Sequence, residues 1–269
     1  MPRSLPLPSR RDALMLAGLL PVAAPAIASG AADLGQHFRA EGVTGAFALL
    51  ASDGGETILV DPPRARRRYV PASTFKIPNT LIALETGAVR DVDAIVPYGG
   101  VASRNPAWNR DMSLREAMPI SNVPVFQQVA RRVGLPAYRD WLTRLDYGNR
   151  ATGERVERFW LDGPLAISAL EEARFNLRLA RGDLPASAQA MGLTRDIVRL
   201  ESAGGATLHG KTGWFVKPGE TSIGWWTGWV ERGSRVHAFA LNIDMPQLAM
   251  APKRLAIGRA ILKATGLYG

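Results

Sequence analysis

The chain of 269 residues contains no cysteine and only three histidines, His37, His209 and His237. Without cysteine there is no disulfide framework, no thiol nucleophile and no cysteine-ligated metal. No second histidine lies within a helical turn of any of the three, and His209 and His237 are too far apart in sequence to share one element. We therefore expect neither a metal site nor a metal-dependent reaction.

Long uninterrupted apolar runs are also lacking, so no segment predicts a stable membrane anchor. Positive charge is in excess, with 33 lysines and arginines against 24 acidic residues and a formal net charge of +9. The densest basic run, Arg64 and 66–68, is short, and no basic stripe alternates with aromatic residues. We interpret the charge as a solvated basic face and predict no nucleic-acid partner.

Residues 1–28 have the pattern of a cleaved export signal rather than of a folded element. Basic residues including Arg10 and Arg11 precede an apolar stretch that ends in Ala26-Ile27-Ala28, a small-x-small site for a signal peptidase. The sequence around the two arginines (SRRDAL) also has the form of a twin-arginine signal, although an ordinary Sec signal fits the same residues. We expect the mature protein to begin near Ser29 and to reside in the periplasm.

Strand and helix patterns follow one another in three blocks along the rest of the chain. Two β-rich segments around the turn 52–55 predict an early hairpin, and three more, followed by a last helix, lie near the carboxyl end. Between about 73 and 200, short segments separated by proline and glycine predict an inserted group of helices. We therefore predict one domain over 29–269 of the α/β class (α+β type), with an antiparallel five-stranded sheet flanked by helices, an inserted helical lobe and a site in the cleft between them. The predicted strands are 44–51, 56–61, 206–216, 224–231 and 235–243, and the last helix is 252–265.

The first motif with chemical meaning is Ser73-Thr74-Phe75-Lys76. If a helix begins near Ser73, the hydroxyl and the amine three residues later share one face. A serine is a poor nucleophile until a base takes its proton, and a lysine is such a base only when burial keeps its amine neutral. Backbone N–H groups at the helix start can receive an oxyanion. For the isolated tetrapeptide, a helix-capping serine and a solvent lysine remain the alternative.

Three further short motifs have ordinary interpretations when each is taken alone. The segment 211–214 (KTGW) ends a predicted strand, where a lysine and a hydroxyl suit a substrate carboxylate, but it also fits a turn. The segment 121–123 (SNV) precedes a proline at a predicted helix start, where Ser121 also fits a plain N-cap. The segment 147–149 (YGN) is a turn.

Taken together and in order, these motifs closely resemble the class D β-lactamases, the oxacillinases. The resemblance runs from about residue 40 to 265. It implies the β-lactamase/transpeptidase fold, β-lactam substrates, hydrolysis through an acyl-enzyme, antibiotic resistance, and no cofactor beyond the carbon dioxide or bicarbonate described below. It rests on the segments 71–85 (PASTFKIPNTLIALE), 121–129 (SNVPVFQQV), 147–149 (YGN), 159–167 (FWLDGPLAI), 211–214 (KTGW) and 224–231 (GWWTGWVE).

The resemblance implies a role for each matching residue of the reacting centre. Ser73 matches the nucleophile, and Lys76 matches the lysine that is carboxylated (N6-carboxylysine) to give the general base. Ser121 matches the relay of a proton to the leaving nitrogen, and Trp160 the indole N–H that donates to the carbamate. The dry pocket around the carbamate corresponds to Val123, Phe126, Trp160 and Leu161.

A second group of matching residues would bind substrate. The backbone N–H groups of Ser73 and Trp214 correspond to the oxyanion hole, and Arg254 to the arginine that pairs with the substrate carboxylate. The adjacent Lys253 is the alternative for that last role. The remaining substrate-binding positions are Lys211, Thr212 and Gly213.

Three other functions fit parts of this pattern. A penicillin-binding D,D-peptidase usually carries S-x-N at the second motif, whereas Val123 occupies its last position in this chain. A β-lactam sensor domain shares the fold but comes with membrane helices and a signalling domain. A basic nucleic-acid binder is disfavoured by the export signal. Neither the oligomeric state nor the preferred β-lactam follows from these residues.

Overall fold

The computed structural model describes Met1 and residues 33–55 and 57–269. The predicted export signal, apart from Met1, therefore lies outside the described residues. Among the residues that are described, none of the helices combines the length and the apolar character needed to span a bilayer.

The sheet is built from strands of both chain ends. Its strands are β1 (Gly45–Ala51), β2 (Ile58–Val60), β3 (Arg199–Ala203), β4 (Ala206–Phe215), β5 (Ile223–Arg232) and β6 (Arg235–Asp244). Their spatial order is β2-β1-β6-β5-β4-β3, and all neighbours are antiparallel. The predicted fold, an antiparallel sheet from both ends of the chain with helices around it, is confirmed.

The sheet has one strand more than the five predicted. β3 lies at the edge beside β4, and all five of its residues are exposed. Because neither of its faces is buried, its sequence, RLESA, has no alternation of apolar and polar residues, and its structure depends on backbone pairing with β4. A shift in register between Arg199 and Glu201 interrupts that pairing.

The helices between β2 and β3 match the predicted insertion. They begin with a short helix beside the sheet and continue as the helical lobe, and one further helix precedes β1 and another follows β6. Within the described residues the helices are α1 (Gln36–Ala40), α2 (Pro62–Arg66), α3 (Lys76–Glu85), α4 (Leu114–Ala117), α5 (Val123–Val133), α6 (Leu135–Leu145), α7 (Ala169–Arg181), α8 (Ala188–Ile197) and α9 (Ala251–Ala264).

Two long helices cover the two faces of the sheet. α7 packs on β1, β5 and β6, where Ala169 and Leu170 share a buried cluster with Trp225. α9 packs on β5 and β6, where Ile257 shares a second cluster with Trp226. Trp225 and Trp226 are successive residues of β5, and side chains of successive strand residues point to opposite faces. Both faces of the central strands are therefore buried.

Local sequence signals determine where α7 begins and ends. The Ser168 side chain accepts from the Glu171 N–H, and the Glu171 carboxylate accepts from the Ser168 N–H, which is a capping box. Gly182, at φ 76°, ends the helix in the left-handed conformation. This defined start places Glu172 on the inner side of α7, where it is 1% exposed.

An aromatic cluster holds the segment that joins the sheet to the helical lobe. Phe75 contacts four buried aromatic rings at centroid distances between 5.1 and 6.1 Å. These rings belong to Tyr138, Tyr147, Phe159 and Trp160. Since Phe75 directly precedes Lys76, its packing anchors the start of α3 from inside the lobe.

Candidate active site

Ser73 lies in a 3₁₀ turn (Ala72–Phe75), and α3 begins only at Lys76. The sequence predicts a helix from about Ser73, and the tighter turn brings the two side chains together, because residues three apart eclipse each other in 3₁₀ geometry. The Lys76 Nζ donates a hydrogen bond to the Ser73 Oγ at 2.8 Å. Lys76 is fully buried, which excludes the alternative of a capping serine with a solvent lysine.

Backbone strain occurs at both serine motifs. Ala72, directly before Ser73, has φ 51°, and Ser121 has φ 58°. Non-glycine residues in this left-handed region cost on the order of 1–3 kcal/mol each and concentrate at functional sites. Of the five non-glycine residues with positive φ among the described residues, these two therefore fall where the sequence predicts chemistry.

The surroundings of Lys76 favour a neutral amine. Burial lowers the pKa of Lys76 well below its usual range, and the positive charge of Lys211 lowers it further. The Phe126 ring lies against the amine, with its centroid 5.3 Å from Nζ. An apolar, positively charged pocket disfavours the ammonium form because it offers neither solvation nor a counter-ion. Lys76 can therefore act as a base or a nucleophile at neutral pH.

Trp160 carries a buried donor beside Phe75, the residue that precedes Lys76. Its ring is fully buried and stacks on Phe75 at a centroid distance of 5.5 Å and an interplanar angle of 27°. Within the part of the chain that the structure describes, the indole N–H has no hydrogen-bond partner. Buried donors are rarely left unpaired, so this N–H is suited to a polar acceptor brought into the pocket. Leu161 is partly buried in the same core.

The second serine motif meets the start of α5, which begins at Val123. Asn122, rather than Ser121, caps this helix, because its Oδ1 accepts from the Val125 N–H at 3.0 Å. The ordinary interpretation of Ser121 as the N-cap is therefore wrong. Ser121 lies one residue before the cap of the helix whose Phe126 ring contacts the Lys76 amine.

The KTGW strand lies against the turn that carries Ser73. A Cβ added to Gly213 would lie 2.8 Å from the Pro71 carbonyl oxygen and 3.2 Å from the Thr74 amide nitrogen. Only glycine allows β4 to approach the turn so closely. The half-buried Thr212 and Trp214 flank Gly213, and the Trp214 indole donates to the Met245 carbonyl at 3.0 Å.

Lys211 and Arg254 add two further buried cations. Lys211 is 5% exposed, and burial together with the charge of Arg254 lowers its pKa to about 7. Arg254 is 8% exposed and donates to the Gly213 carbonyl, and burial lowers its pKa to about 10. The adjacent Lys253 instead donates to the Glu41 carbonyl, away from β4. The structure therefore places Arg254, not Lys253, beside the KTGW strand.

The site as a whole is suited to anions. Among the described residues, none of the basic groups Lys76, Lys211 and Arg254 forms a salt bridge with a carboxylate. Buried cations without counter-ions attract a negatively charged ligand strongly because the low dielectric screens them little. No group of three or more histidine, aspartate and glutamate residues that could hold a metal ion occurs in the described ranges. The chemistry available is a serine nucleophile with a lysine base.

The YGN segment (147–149) packs against the chain at 164–166. Gly148, at φ 53°, lies so close to residue 166 that an added Cβ would be 2.3 Å from the Ala166 carbonyl oxygen. The Asn149 amide donates to the Pro164 carbonyl at 2.9 Å and accepts from the Ala166 N–H at 3.0 Å. The motif therefore holds the chain on the carboxyl side of Trp160 in place.

Known proteins resemble this chain over most of its length. A family model described as a penicillin binding protein transpeptidase domain matches residues 46–264. β-Lactamase OXA-5 of Pseudomonas aeruginosa is 38% identical over 234 residues, which are 86% of this chain and 88% of that protein. β-Lactamase OXA-2 of Salmonella typhimurium is 41% identical over 208 residues, which are 77% of this chain and 74% of that protein. The chain belongs to the class D β-lactamases.

Solved structures agree with this membership. The class D β-lactamase FUS-1 (OXA-85) from Fusobacterium nucleatum subsp. polymorphum superposes with a TM-score of 0.85 at 34% identity, covering 88% of this chain and 98% of that one. The class D β-lactamase YbXI from Nostoc gives a TM-score of 0.83 at 35% identity, covering 87% and 98%. The family predicted from the sequence motifs is thereby confirmed.

One buried group of this class D β-lactamase, the carboxyl of Glu172, lies outside all the motifs found in the sequence. Glu172 accepts a hydrogen bond from the Tyr147 hydroxyl at 2.8 Å, and both side chains are buried. The sequence signal that could have predicted its burial is helical spacing. Glu172 lies three residues after Ala169 and four before Asn176, which are both buried. Such spacing places a residue on the inner face of α7 whatever its polarity.

Proposed function

We propose that this protein hydrolyses β-lactam antibiotics through an acyl-enzyme on Ser73, with a carboxylated Lys76 as the general base, and that it confers antibiotic resistance. The observation that carries the proposal is the hydrogen bond of 2.8 Å between a fully buried Lys76 amine and the Ser73 hydroxyl. Membership of the class D β-lactamases supplies the substrate class.

The residues around Lys76 fit a carbamate. Its amine is buried and favours the neutral form, which is the form that adds carbon dioxide. The product would be an anion, which the positive charge of Lys211 attracts and which provides an acceptor for the Trp160 indole N–H, a donor without a partner among the described residues. A carbamate supplies an anionic oxygen that can accept a proton, whereas an ammonium group has no lone pair with which to do so.

Each residue of the site has a role in one step of the proposed acylation and deacylation. The Ser73 hydroxyl loses its proton towards Lys76, and its oxygen bonds to the β-lactam carbonyl carbon while the ring C–N bond breaks. The Ser121 hydroxyl passes a proton to the leaving nitrogen, and the backbone N–H groups of Ser73 and Trp214 receive the oxyanion. A water molecule then cleaves the ester, which restores the Ser73 hydroxyl and releases the product acid.

Substrate is oriented by its carboxylate. We assign this group to Arg254 and to the strand residues Lys211, Thr212 and Gly213. The support is electrostatic, because Lys211 and Arg254 are buried side by side and neither has a carboxylate partner among the described residues. An arginine and a carboxylate form charge-assisted hydrogen bonds that are about twice as strong as neutral ones.

The site of action follows from the amino-terminal pattern. We propose that residues 1–28 are a cleaved export signal, that the twin-arginine route carries the chain, and that residues 29–269 act as one catalytic domain in the periplasm. The support is the order of basic residues, apolar stretch and small-residue cleavage site in the sequence.

Turnover of a chromogenic cephalosporin by the purified protein tests the function. We expect steady-state hydrolysis, which Ser73→Ala abolishes together with any covalent adduct seen by mass spectrometry. Ser234→Ala, a change at an exposed turn serine, is the matched control and should retain full turnover. A wild-type protein that forms one stable adduct and then stops would instead be a penicillin-binding protein or a sensor.

A further inference from the structure

Ser121, the residue proposed to relay a proton, has a backbone conformation that serine rarely adopts. Its φ of 58° lies in the left-handed region. The Ser121 N–H donates to the Met118 carbonyl at 3.1 Å. The next N–H, that of Asn122, donates to the Ala117 carbonyl at 2.9 Å. These two bonds have the pattern of a Schellman motif beyond α4, in which Ser121 occupies the position that glycine usually takes. Such a strained residue persists only where its surroundings fix it.

The residues on either side of Ser121 are both bonded to Trp108. The Trp108 indole N–H donates to the Ile120 carbonyl at 3.0 Å. The Trp108 carbonyl accepts from the Asn122 side-chain amide at 3.2 Å. We call these two hydrogen bonds the Trp108 clasp. Through them, one residue of another loop holds both neighbours of Ser121.

The Asn122 side chain is fully buried, and all of its polar groups are used. Its Oδ1 accepts from the Val125 N–H at 3.0 Å, which caps α5. Its Nδ2 donates to the Trp108 carbonyl and, at 3.4 Å, to the Met112 sulfur. An asparagine amide has two hydrogens to donate, and both have an acceptor in this arrangement. Asn122 therefore joins the start of α5 to Trp108.

The chain around Trp108 is itself held by local hydrogen bonds. Trp108 ends a short 3₁₀ turn, which the Asn105 side chain caps by accepting from the Ala107 N–H at 3.1 Å. The Asn109 side chain bonds to Ser103 in both directions, accepting from its N–H at 2.7 Å and donating to its carbonyl at 3.2 Å. Trp108 is therefore presented by a loop with a defined geometry, as the clasp requires.

We propose that Asn122 and Trp108 are positioning residues for the proposed hydrolysis: together they hold Ser121 in the left-handed conformation that presents its hydroxyl to the leaving nitrogen. The inference rests on the proposed function, in which Ser121 passes a proton to that nitrogen during acylation. A proton donor is effective only within hydrogen-bond reach of the atom that it protonates. The clasp therefore acts on acylation, and deacylation, which uses Lys76 and water, does not depend on it.

Two variants separate the clasp from the helix cap. Asn122→Ser keeps an oxygen that can cap α5 but has no amide to reach the Trp108 carbonyl. Trp108→Phe keeps an aromatic ring but removes the donor to the Ile120 carbonyl. Asn242→Ser is the matched control, because Asn242 is equally buried and lies in β6 outside all the motifs, where its side chain accepts from Arg64 at 2.8 Å.

Quenched-flow mass spectrometry with a penicillin measures the acylation rate of each protein, and the decay of the adduct measures its deacylation rate. We expect Asn122→Ser and Trp108→Phe to slow acylation by about tenfold to hundredfold, the effect of a misplacement on the order of 1 Å at a reacting group. Deacylation should keep its wild-type rate in both. Asn242→Ser should retain both rates although it loses a buried hydrogen bond.

A double-mutant cycle tests whether the clasp acts through Ser121. Ser121→Ala should slow acylation at least as much as the clasp variants do. Adding Asn122→Ser to Ser121→Ala should slow it no further, because the positioned residue no longer carries a hydroxyl. Two full effects that multiply in the double variant would overturn the positioning role. Wild-type acylation in Asn122→Ser would also overturn it, as would an equal loss of acylation and deacylation.

The strain at Ser121 can be measured without turnover. Glycine adopts φ 58° without strain, whereas alanine does not. Ser121→Gly should therefore melt about 2–4 °C above Ser121→Ala. Equal Tm values would overturn the strained conformation that the clasp is proposed to hold.

Acylation rates also distinguish this inference from the proposed function. A wild-type protein that is acylated by a penicillin but does not turn it over defeats the proposed hydrolysis only, since the clasp variants would still be acylated slowly. If Trp108→Phe does not fold, Asn122→Ser decides, because it retains the cap of α5.

Discussion

Gly213 lies directly against Pro71: a Cβ on Gly213 would be 2.8 Å from the Pro71 carbonyl oxygen. The strand that presents Lys211 and the turn that presents Ser73 are therefore in van der Waals contact through their backbones. The same Pro71 carbonyl accepts from the Thr74 hydroxyl at 3.0 Å. One backbone oxygen thus lies between the substrate strand and a side chain of the nucleophile turn.

Replacing Gly213 by alanine should separate the strand from the nucleophile turn. We expect Gly213→Ala to lower kcat and to destabilise the fold by about 1–3 kcal/mol, the usual cost of overpacking. Gly192→Ala is the control, because an added Cβ would have no described atom within 4 Å. This substitution should stabilise α8 slightly, since alanine has a higher helix propensity than glycine. Urea denaturation measures the stability of both variants, and steady-state kinetics measures their activity. Normal activity and stability in Gly213→Ala would contradict the close contact.

Activity should depend on dissolved carbon dioxide and should fall at acid pH. The pKa of Lys76 is lowered by burial and by Lys211, so the amine is neutral above that lowered pKa and becomes an ammonium ion as pH falls through it. An ammonium ion cannot hold a carbamate, so kcat should drop at low pH and recover when bicarbonate is added. Carbon-13 NMR with labelled bicarbonate should show one carbamate signal, absent in Lys76→Ala and retained in Lys217→Ala. Full activity in degassed, mildly acidic buffer with an unmodified Lys76 would defeat this mechanism.

Removing the Trp160 N–H should slow deacylation. Trp160→Phe keeps an aromatic ring to stack on Phe75 but offers the carbamate no donor. We expect acyl-enzyme to accumulate in mass spectra and more bicarbonate to be needed for half-maximal activity. Trp226→Phe is a matched control, since the Trp226 indole N–H is also buried without a partner among the described residues but belongs to the cluster under α9. Equal deacylation rates in the two variants would remove Trp160 from this role.

Truncating Arg254 should act mainly on substrate binding. An arginine–carboxylate contact contributes about 1.5–3 kcal/mol, so Arg254→Ala should raise KM by roughly 10- to 100-fold for substrates that bear the carboxylate. Lys253→Ala is the neighbouring control, because Lys253 bonds to the Glu41 carbonyl instead. A raised KM in Lys253→Ala with a normal KM in Arg254→Ala would show that the assignment is off by one residue.

The amino terminus of the mature protein should lie near Ser29. Amino-terminal sequencing of the periplasmic fraction measures this directly. Replacing Arg10 and Arg11 with lysine should retain the protein in the cytoplasm if the twin-arginine route carries it. Unimpaired export of that variant would favour the Sec route, and a full-length periplasmic protein would contradict cleavage.

Sequence patterns predicted the family and most of the architecture because those signals are local. The hairpin, the inserted helices and the last helix each follow from turn residues and from the spacing of apolar side chains along a few turns or strand residues. β3 was missed because a strand that buries neither face carries no such pattern. The Asn122 cap was missed because a serine and an asparagine side by side fit the same capping position.

Sequence alone determined which family this chain belongs to and which residues match its motifs. Tertiary structure decided the properties that give those residues their chemistry: the buried, neutral-favouring Lys76, the basic groups of Lys211 and Arg254 without carboxylate partners in the described residues, and the buried hydrogen bond between Tyr147 and Glu172. The reason is that a pKa depends on desolvation and on neighbouring charges. In this fold, Lys211 approaches Lys76 from more than a hundred residues further along the chain, and Arg254 approaches Lys211, and no local pattern records either approach.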